Sequence, residues 1–193
     1  MKNYLTVSNW RSLPRGIRNN NPGNLIATSI PWLGKVPIAQ NTDTNKKFEQ
    51  FTNLGWGIRA AAMDILGDIY KKNNNTINKL ISVYAPKHEN PTEKYIDFVV
   101  KATGIEPNED LRPILMKGKT VTNPDNLAQI LTAIFRMENG ATFQKYVTYE
   151  DIRAGIDLLG KKKIETSAPV KITAGINWIL PALIIGGYLI TRK

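Results

Sequence analysis

Phe135-Arg136-Met137-Glu138-Asn139-Gly140 closes the stretch whose reading decides the fold. Before it, Leu127, Ile130, Leu131, Ile134 and Phe135 recur at three- and four-residue spacing, the signature of one buried helix face. Glu138 stands eleven residues after Leu127, about three helical turns on, and projects from that same face. A carboxyl group on an apolar stripe loses hydration, and in the last turn of a helix it meets the negative end of the macrodipole. Both effects favour its protonated form. Gly140 lets the chain leave the helix there and open a cleft beside it. The pattern nominates Glu138 as an acid kept protonated for catalysis. The competing reading is a surface glutamate at a frayed helix end.

Working outward, the chain is predicted to be mainly α-helical. Ile58, Ala62, Ile65, Leu66 and Ile69 repeat at helical spacing over 57–71, and Ile77, Leu80, Ile81 and Tyr84 mark a shorter helix after Thr76. Asn90-Pro91-Thr92-Glu93 has the form of a helix start, with Asn90 as N-cap and Pro91 in the first turn; that helix runs to Ala102 and stops near Gly104. Asn123-Pro124 starts the Glu138 helix in the same way. Thr148 and Asp151 start another, with Ile152, Ile156 and Leu159 on its apolar side. Residues 14–24 read as a loop, because Asn-Pro and Pro-Gly are turn formers, and the run Asn19-Asn20-Asn21 suits a polar ligand. Residues 30–54 read as short extended segments or a small hairpin. Residues 1–159 therefore form one domain, of a size that buries a core without staples.

Residues 160–173 change character and read as a basic linker: Lys161, Lys162 and Lys163, then Glu165-Thr166-Ser167-Ala168-Pro169. Ala174 to Ile190 is seventeen residues without a charge, flanked by Lys171 and by Arg192-Lys193, with Trp178 and Tyr188 toward its ends. As a helix it would be about 25 Å long, enough for a bilayer core. Its Pro181 and Gly186-Gly187 are better tolerated in lipid than in water. Residues 174–191 are expected to be a single transmembrane anchor. The opening residues carry no apolar run of signal-peptide length.

Composition excludes several chemistries. The chain has 193 residues, no cysteine and one histidine, His88. A catalytic zinc site takes three protein ligands, mostly His or Cys, and a thiol nucleophile needs a Cys and usually a His base. Catalysis is thus left to carboxylates, hydroxyls or lysines, and neither a metal nor a cofactor is expected. The formal charge is +10. Residues 161–193 hold six cations against one acid, so half of that charge sits in the tail. A basic surface suits an anionic partner: membrane headgroups, an acidic cell wall or nucleic acid. The lysines form no helical stripe interleaved with aromatics, so nucleic acid is not the expected partner.

Glycosidic cleavage needs a carboxylic acid that remains protonated near neutral pH, the role offered by Glu138. A hydrolase would add a second carboxylate. Glu49, between Phe48 and Gln50-Phe51, and Glu89, after His88, are the candidates. Glu93 reads as a helix cap.

The blocks Arg15-Gly16-Ile17-Arg18-Asn19-Asn20-Asn21-Pro22-Gly23-Asn24, Phe48-Glu49-Gln50-Phe51 through Ala60, Tyr84-Ala85-Pro86 with Glu89-Asn90 and Tyr95-Ile96, and Glu138-Asn139-Gly140 resemble a family of phage virion-associated lytic proteins. That family is regarded as lysozyme-like, and the resemblance covers about residues 14–145. Ala133-Ile134-Phe135-Arg136-Met137-Glu138-Asn139-Gly140 is in addition similar to the catalytic helix of soluble lytic transglycosylases, where serine follows the glutamate; here Asn139 takes its place. In that family the glutamate is the sole acid and base, and it maps onto Glu138. Gly16-Ile17-Arg18-Asn19 resembles the family's Gly-Leu-Met-Gln loop, and Tyr84-Ala85-Pro86 with the Tyr95 helix resembles its Tyr-Asn-Ala-Gly-Pro segment and following helix. The asparagine after the tyrosine is missing. The order of segments also differs, because the catalytic helix comes last here, which implies a circular permutation.

The resemblance implies a lysozyme-like domain with a small extended region, carried on a C-terminal anchor in the virion membrane of a lipid-containing phage. It implies cleavage of the MurNAc–GlcNAc bond of peptidoglycan by Glu138, with Arg18, Asn19, Asn20, Asn21, Asn24, Tyr84 and Tyr95 lining the cleft. Implied partners are peptidoglycan, a lipid bilayer and other virion proteins. The alternatives are a two-carboxylate muramidase, an endopeptidase of the peptide cross-links, and, from a different class, a structural virion membrane protein that binds wall glycan without cutting it.

Overall fold

The computed structural model describes residues 1–86, 91–118 and 120–161. Among them are seven α-helices: α1 (Arg15–Arg18), α2 (Leu54–Lys71), α3 (Ile77–Tyr84), α4 (Thr92–Thr103), α5 (Leu111–Leu115), α6 (Pro124–Asn139) and α7 (Tyr149–Ile156). One two-stranded antiparallel sheet joins β1 (Met116–Lys117) to β2 (Thr120–Val121), with Met116 opposite Val121.

The helix starts are set by short polar side chains that accept the otherwise orphaned first-turn N–H groups. Asn53 caps α2 through Trp56 N, Thr76 caps α3 through Lys79 N, and Asn123 caps α6 through Asn126 N with Pro124 following it. Thr148 and Asp151 form a reciprocal capping box on α7. The α4 start differs in register from expectation. Its flanking residue is Pro91, which has no side-chain cap to offer, while Asn90 lies outside the described residues. α2 begins three residues earlier than its apolar repeat implies, because Asn53 provides the cap.

Helix α6 is central. It packs against α4 on one side and α7 on another, with α1 and α5 touching it as well. Leu127, Ala128, Ile130, Leu131, Ala133, Ile134 and Phe135 are all buried. Each large side chain so buried contributes roughly 1.5–3 kcal/mol relative to exposure. α2 lies along α7, and α3 packs on α4. The helix α6 ends where Gly140 takes φ 79°, a left-handed value that glycine adopts without strain.

The two-stranded sheet lies at 116–121; within 30–54 short extended pieces meet at the isolated bridge of Lys35 with Phe51, flanked by hydrogen bonds from Val36 N to Gln50 O and from Thr52 N to Gly34 O, and they do not extend into a hairpin ladder. Pro31 and Pro37 cannot donate to a ladder, and side-chain amides occupy carbonyls a second strand would need. Asn41 donates to Phe48 O and Asn21 to Glu49 O. The stretch 14–24, read as a loop, opens with the four-residue helix α1 before it turns.

No helix among the described residues is long and apolar enough to cross a membrane. The expected anchor at 174–191 lies outside the described residues, as does the linker beyond Lys161. The end of the described chain is held by buried Arg59, which donates from Nε to Leu158 O at 2.8 Å and from Nη2 to Lys161 O at 2.8 Å.

Candidate active site

Glu138 sits in the last turn of α6, half-buried. Three chain segments converge on it. From α4, the buried Tyr95 places its Oη 3.3 Å from Glu138 Oε1 and 3.3 Å from Ile134 O. From the turn after α1, Asn24 donates through Nδ2 to Glu138 Oε2 at 3.0 Å and to Glu138 O at 3.2 Å. From the end of α3, Tyr84 donates its hydroxyl to Gly23 O, which fixes the turn that carries Asn24. Each carboxyl oxygen of Glu138 therefore has a neutral hydrogen-bonding neighbour within the described residues.

The Tyr95 hydroxyl is pushed well above the ordinary phenol range, first by burial and then by the neighbouring Tyr84 and Glu138. It stays neutral and keeps its one hydrogen to donate. α3 and α4 are held in register by Thr92, whose hydroxyl donates to Ala85 O at 2.6 Å.

Asn139 anchors the end of α6. Its Nδ2 donates to Pro22 O at 2.7 Å and to Phe135 O at 2.9 Å. Its Oδ1 and that of Asn24 are buried without a hydrogen-bond partner among the described residues. Both point at Gly16. A Cβ at Gly16 would lie 2.4 Å from Asn139 Oδ1, 2.8 Å from Asn24 Oδ1 and 2.9 Å from Asn21 O. Only a residue without a side chain allows α1 to approach α6 this closely. Sequence reasoning saw Asn139 only as the residue replacing a serine, and missed Gly16 and Thr92. The glycine inside an Arg-Gly-Ile-Arg run was the available signal, because glycine costs stability in a helix unless close approach requires it.

The structure brings Glu138, Asn24, Tyr84 and Tyr95 together, but places the other nominated residues elsewhere. Asn19, Asn20 and Asn21 are fully buried, so they do not line a cleft. Asn19 donates to Asp43 Oδ1 at 2.8 Å and accepts from Gln50. Asn20 donates to Phe51 O and accepts from Tyr4 N. Asn21 donates to Leu25 O and Glu49 O and accepts from Leu25 N. Asn20 and Asn21 stand in for missing backbone partners and Asn19 ties side chains together, so the three hold an irregular loop; Asn20 and Asn24 also take φ of 51° and 48°, left-handed values that asparagine tolerates. Arg18 is partly exposed and reaches Arg11 O at 3.4 Å.

Glu49 is likewise corrected as a second carboxylate. It is fully buried, and its Oε1 accepts from Lys35 Nζ at 2.7 Å and from Thr28 N and Oγ1. A buried carboxylate needs such a pairing, which leaves it no access to a water or a sugar. Glu89 lies outside the described residues. No group of three or more His, Asp or Glu side chains that could hold a metal ion occurs among the described residues.

No family model matches the chain. Over 146 residues it is 33% identical to "Protein P5" of Pseudoalteromonas phage PM2, a match that covers 74% of this chain and 80% of that protein.

Proposed function

Since the chain belongs to the family of the phage protein P5, we propose that it is a phage enzyme that cleaves peptidoglycan glycan strands with Glu138 as its single acid and base. The observation that carries this reading is the grip on Glu138: a half-buried carboxyl in the last turn of a helix, held at one oxygen by Tyr95 and at the other by Asn24. A carboxyl so placed is oriented without the long-chain freedom of a surface glutamate.

In the proposed reaction Glu138 gives its proton to the oxygen joining MurNAc to GlcNAc. The C1–O bond breaks with an oxocarbenium-like centre at C1. The carboxylate then takes the proton of the same sugar's 6-hydroxyl as its oxygen bonds to C1. A 1,6-anhydro ring closes, Glu138 is reprotonated, and no water is consumed. The occupation of Glu49 by Lys35 and Thr28 favours this lytic transglycosylase route over two-carboxylate hydrolysis. Residues 174–191 would anchor the enzyme in the virion membrane beside other virion proteins, a reading supported by the uncharged run in the sequence.

The test is digestion of purified peptidoglycan by the full chain beside Glu138→Gln, with mass spectrometry of the products. Anhydro-muropeptides from the wild type, reduced at least about hundredfold in the variant, are the expected result. Reducing-end sugars would make it a muramidase, and cut cross-links an endopeptidase. No release from either protein would leave a wall-binding structural protein.

A further inference from the structure

Residues 1–53 hold seven cations and two acids. Both acids are buried and paired, Asp43 with Arg15 and Glu49 with Lys35. The surface of this third of the domain therefore shows cations and no carboxylate. Lys2 is paired with Asp151, which leaves Arg11, Arg18, Lys46 and Lys47 without an ion pair among the described residues. The four are linked into one patch. Arg18 reaches Arg11 O, and Arg15 beside it bonds Thr44 O at the start of the turn that carries Lys46 and Lys47. Aromatic rings lie under the cations: Arg11 is 5.2 Å from the centre of Trp10, and Lys47 is 5.5 Å from that of Phe48.

Lys46 holds φ 51°, a left-handed conformation that glycine or asparagine adopts more easily, and the turn presents it to solvent beside Lys47. Arg18 also shares the short helix α1 with Gly16, where an added Cβ would meet the side chains of Asn24 and Asn139, so the helix that carries part of the patch packs against residues that hold Glu138 and the end of its helix.

We infer that the basic face formed by Arg11, Arg18, Lys46 and Lys47 is a subsite for the carboxylates of the peptides borne by the glycan strand. The inference rests on the glycan-cleaving reading above and adds a substrate class to it: peptide-bearing strands over naked ones. In the peptide-bearing strand each MurNAc lactyl carboxyl is spent in the amide to its peptide, so the peptide carboxylates are the anionic groups that recur beside each bond to be cut. A single-sign cationic face draws them in and sets the register of the strand against Glu138.

The experiment uses the full chain carrying Glu138→Gln, so that the ligand survives, and measures binding to immobilised peptide-bearing glycan strands and to strands without peptides whose lactyl carboxyls are capped as neutral amides. The same protein with Arg11→Glu, Lys46→Glu and Lys47→Glu is the comparison, and a milder set, Arg11→Gln, Lys46→Asn and Lys47→Gln, serves if charge reversal disturbs folding. The expected result is a preference of roughly tenfold or more for peptide-bearing strands at low salt, shrinking with added salt and falling to about threefold or less in either set. Equal binding to both strands, or a preference that survives both sets, overturns the inference. So does a loss confined to duplex DNA binding, which would assign the face to nucleic acid. Binding is read without turnover, so an absence of cleavage products would remove the reading of Glu138 while the peptide preference could still stand.

Discussion

At the scale of single residues, Tyr95 does for Glu138 what no charged group could. Its hydroxyl is kept neutral by burial, so it offers a hydrogen at every pH the protein would meet without adding charge beside the carboxyl. One hydrogen is shared between Glu138 Oε1 and Ile134 O, both at 3.3 Å. Tyr95→Phe keeps the ring and its packing but deletes that hydrogen. Turnover is expected to fall roughly tenfold, with about 1 kcal/mol lost from stability. Steady-state rates beside a thermal melt would separate the two. Gly16 is the opposite case, a residue whose value is what it lacks. The sequence made Glu138 conspicuous because a charge interrupts a strict apolar period. It could not distinguish Asn24 from Asn19, Asn20 and Asn21. All four are polar and sit in one turn-rich run, and only the folded backbone decides which amide faces inward to carbonyls and which reaches the carboxyl.

At the scale of elements, α6 is the scaffold on which the site depends. Leu131→Ala opens a cavity under it and should cost about 2–5 kcal/mol; Asn123→Ala, which removes its cap, should cost about 1 kcal/mol. Urea midpoints of the two variants would rank them in that order. α1 is pinned differently. Burial of Asp43 opposes its charge, but hydrogen bonds from Arg15, Asn19 and Phe48 N, with the Arg15 charge, outweigh it and hold the carboxyl down to about 2. Its pKa is below the ordinary 3.8, so the stability it supplies is whole above that value and drains away as pH falls toward 2. Asp43→Asn should therefore be less stable than wild type at neutral pH, and the gap in urea midpoint should close in acid. Helices α2, α3, α4, α6 and α7 were legible because each carries a 3.6-residue period and most have a polar cap. The segment 25–53 was not, because its order comes from side-chain amides bonding to backbone, which leaves no period to read.

At the scale of the whole molecule, the first residues close the domain against its last helix. Lys2 Nζ meets Asp151 Oδ2 at 2.6 Å and Tyr146 O at 3.0 Å. Tyr4 donates its hydroxyl to Tyr146 O at 2.5 Å, and the two rings meet edge to face. Lys2 O also accepts from Leu54 N, where α2 begins. The exposed ion pair alone is worth about 1 kcal/mol at most. Deleting residues 1–4 should cost clearly more, because it also removes the buried face of Tyr4 and leaves the buried Asn20 Oδ1 without the N–H it accepts from. Calorimetry of the truncated chain against Lys2→Met would show the difference. This clasp also imposes an order in time. A chain leaves the ribosome from its first residue onward, yet the partners of Lys2 and Tyr4 are made some 140 residues later. Until then the opening segment has only its bonds to Asn20 and Leu54, and Glu138 itself is among the late arrivals. A host cell making this protein carries no finished glutamate site until the domain is almost complete. Asn24 and Tyr95, made earlier, have no carboxyl to hold until the end of α6 emerges.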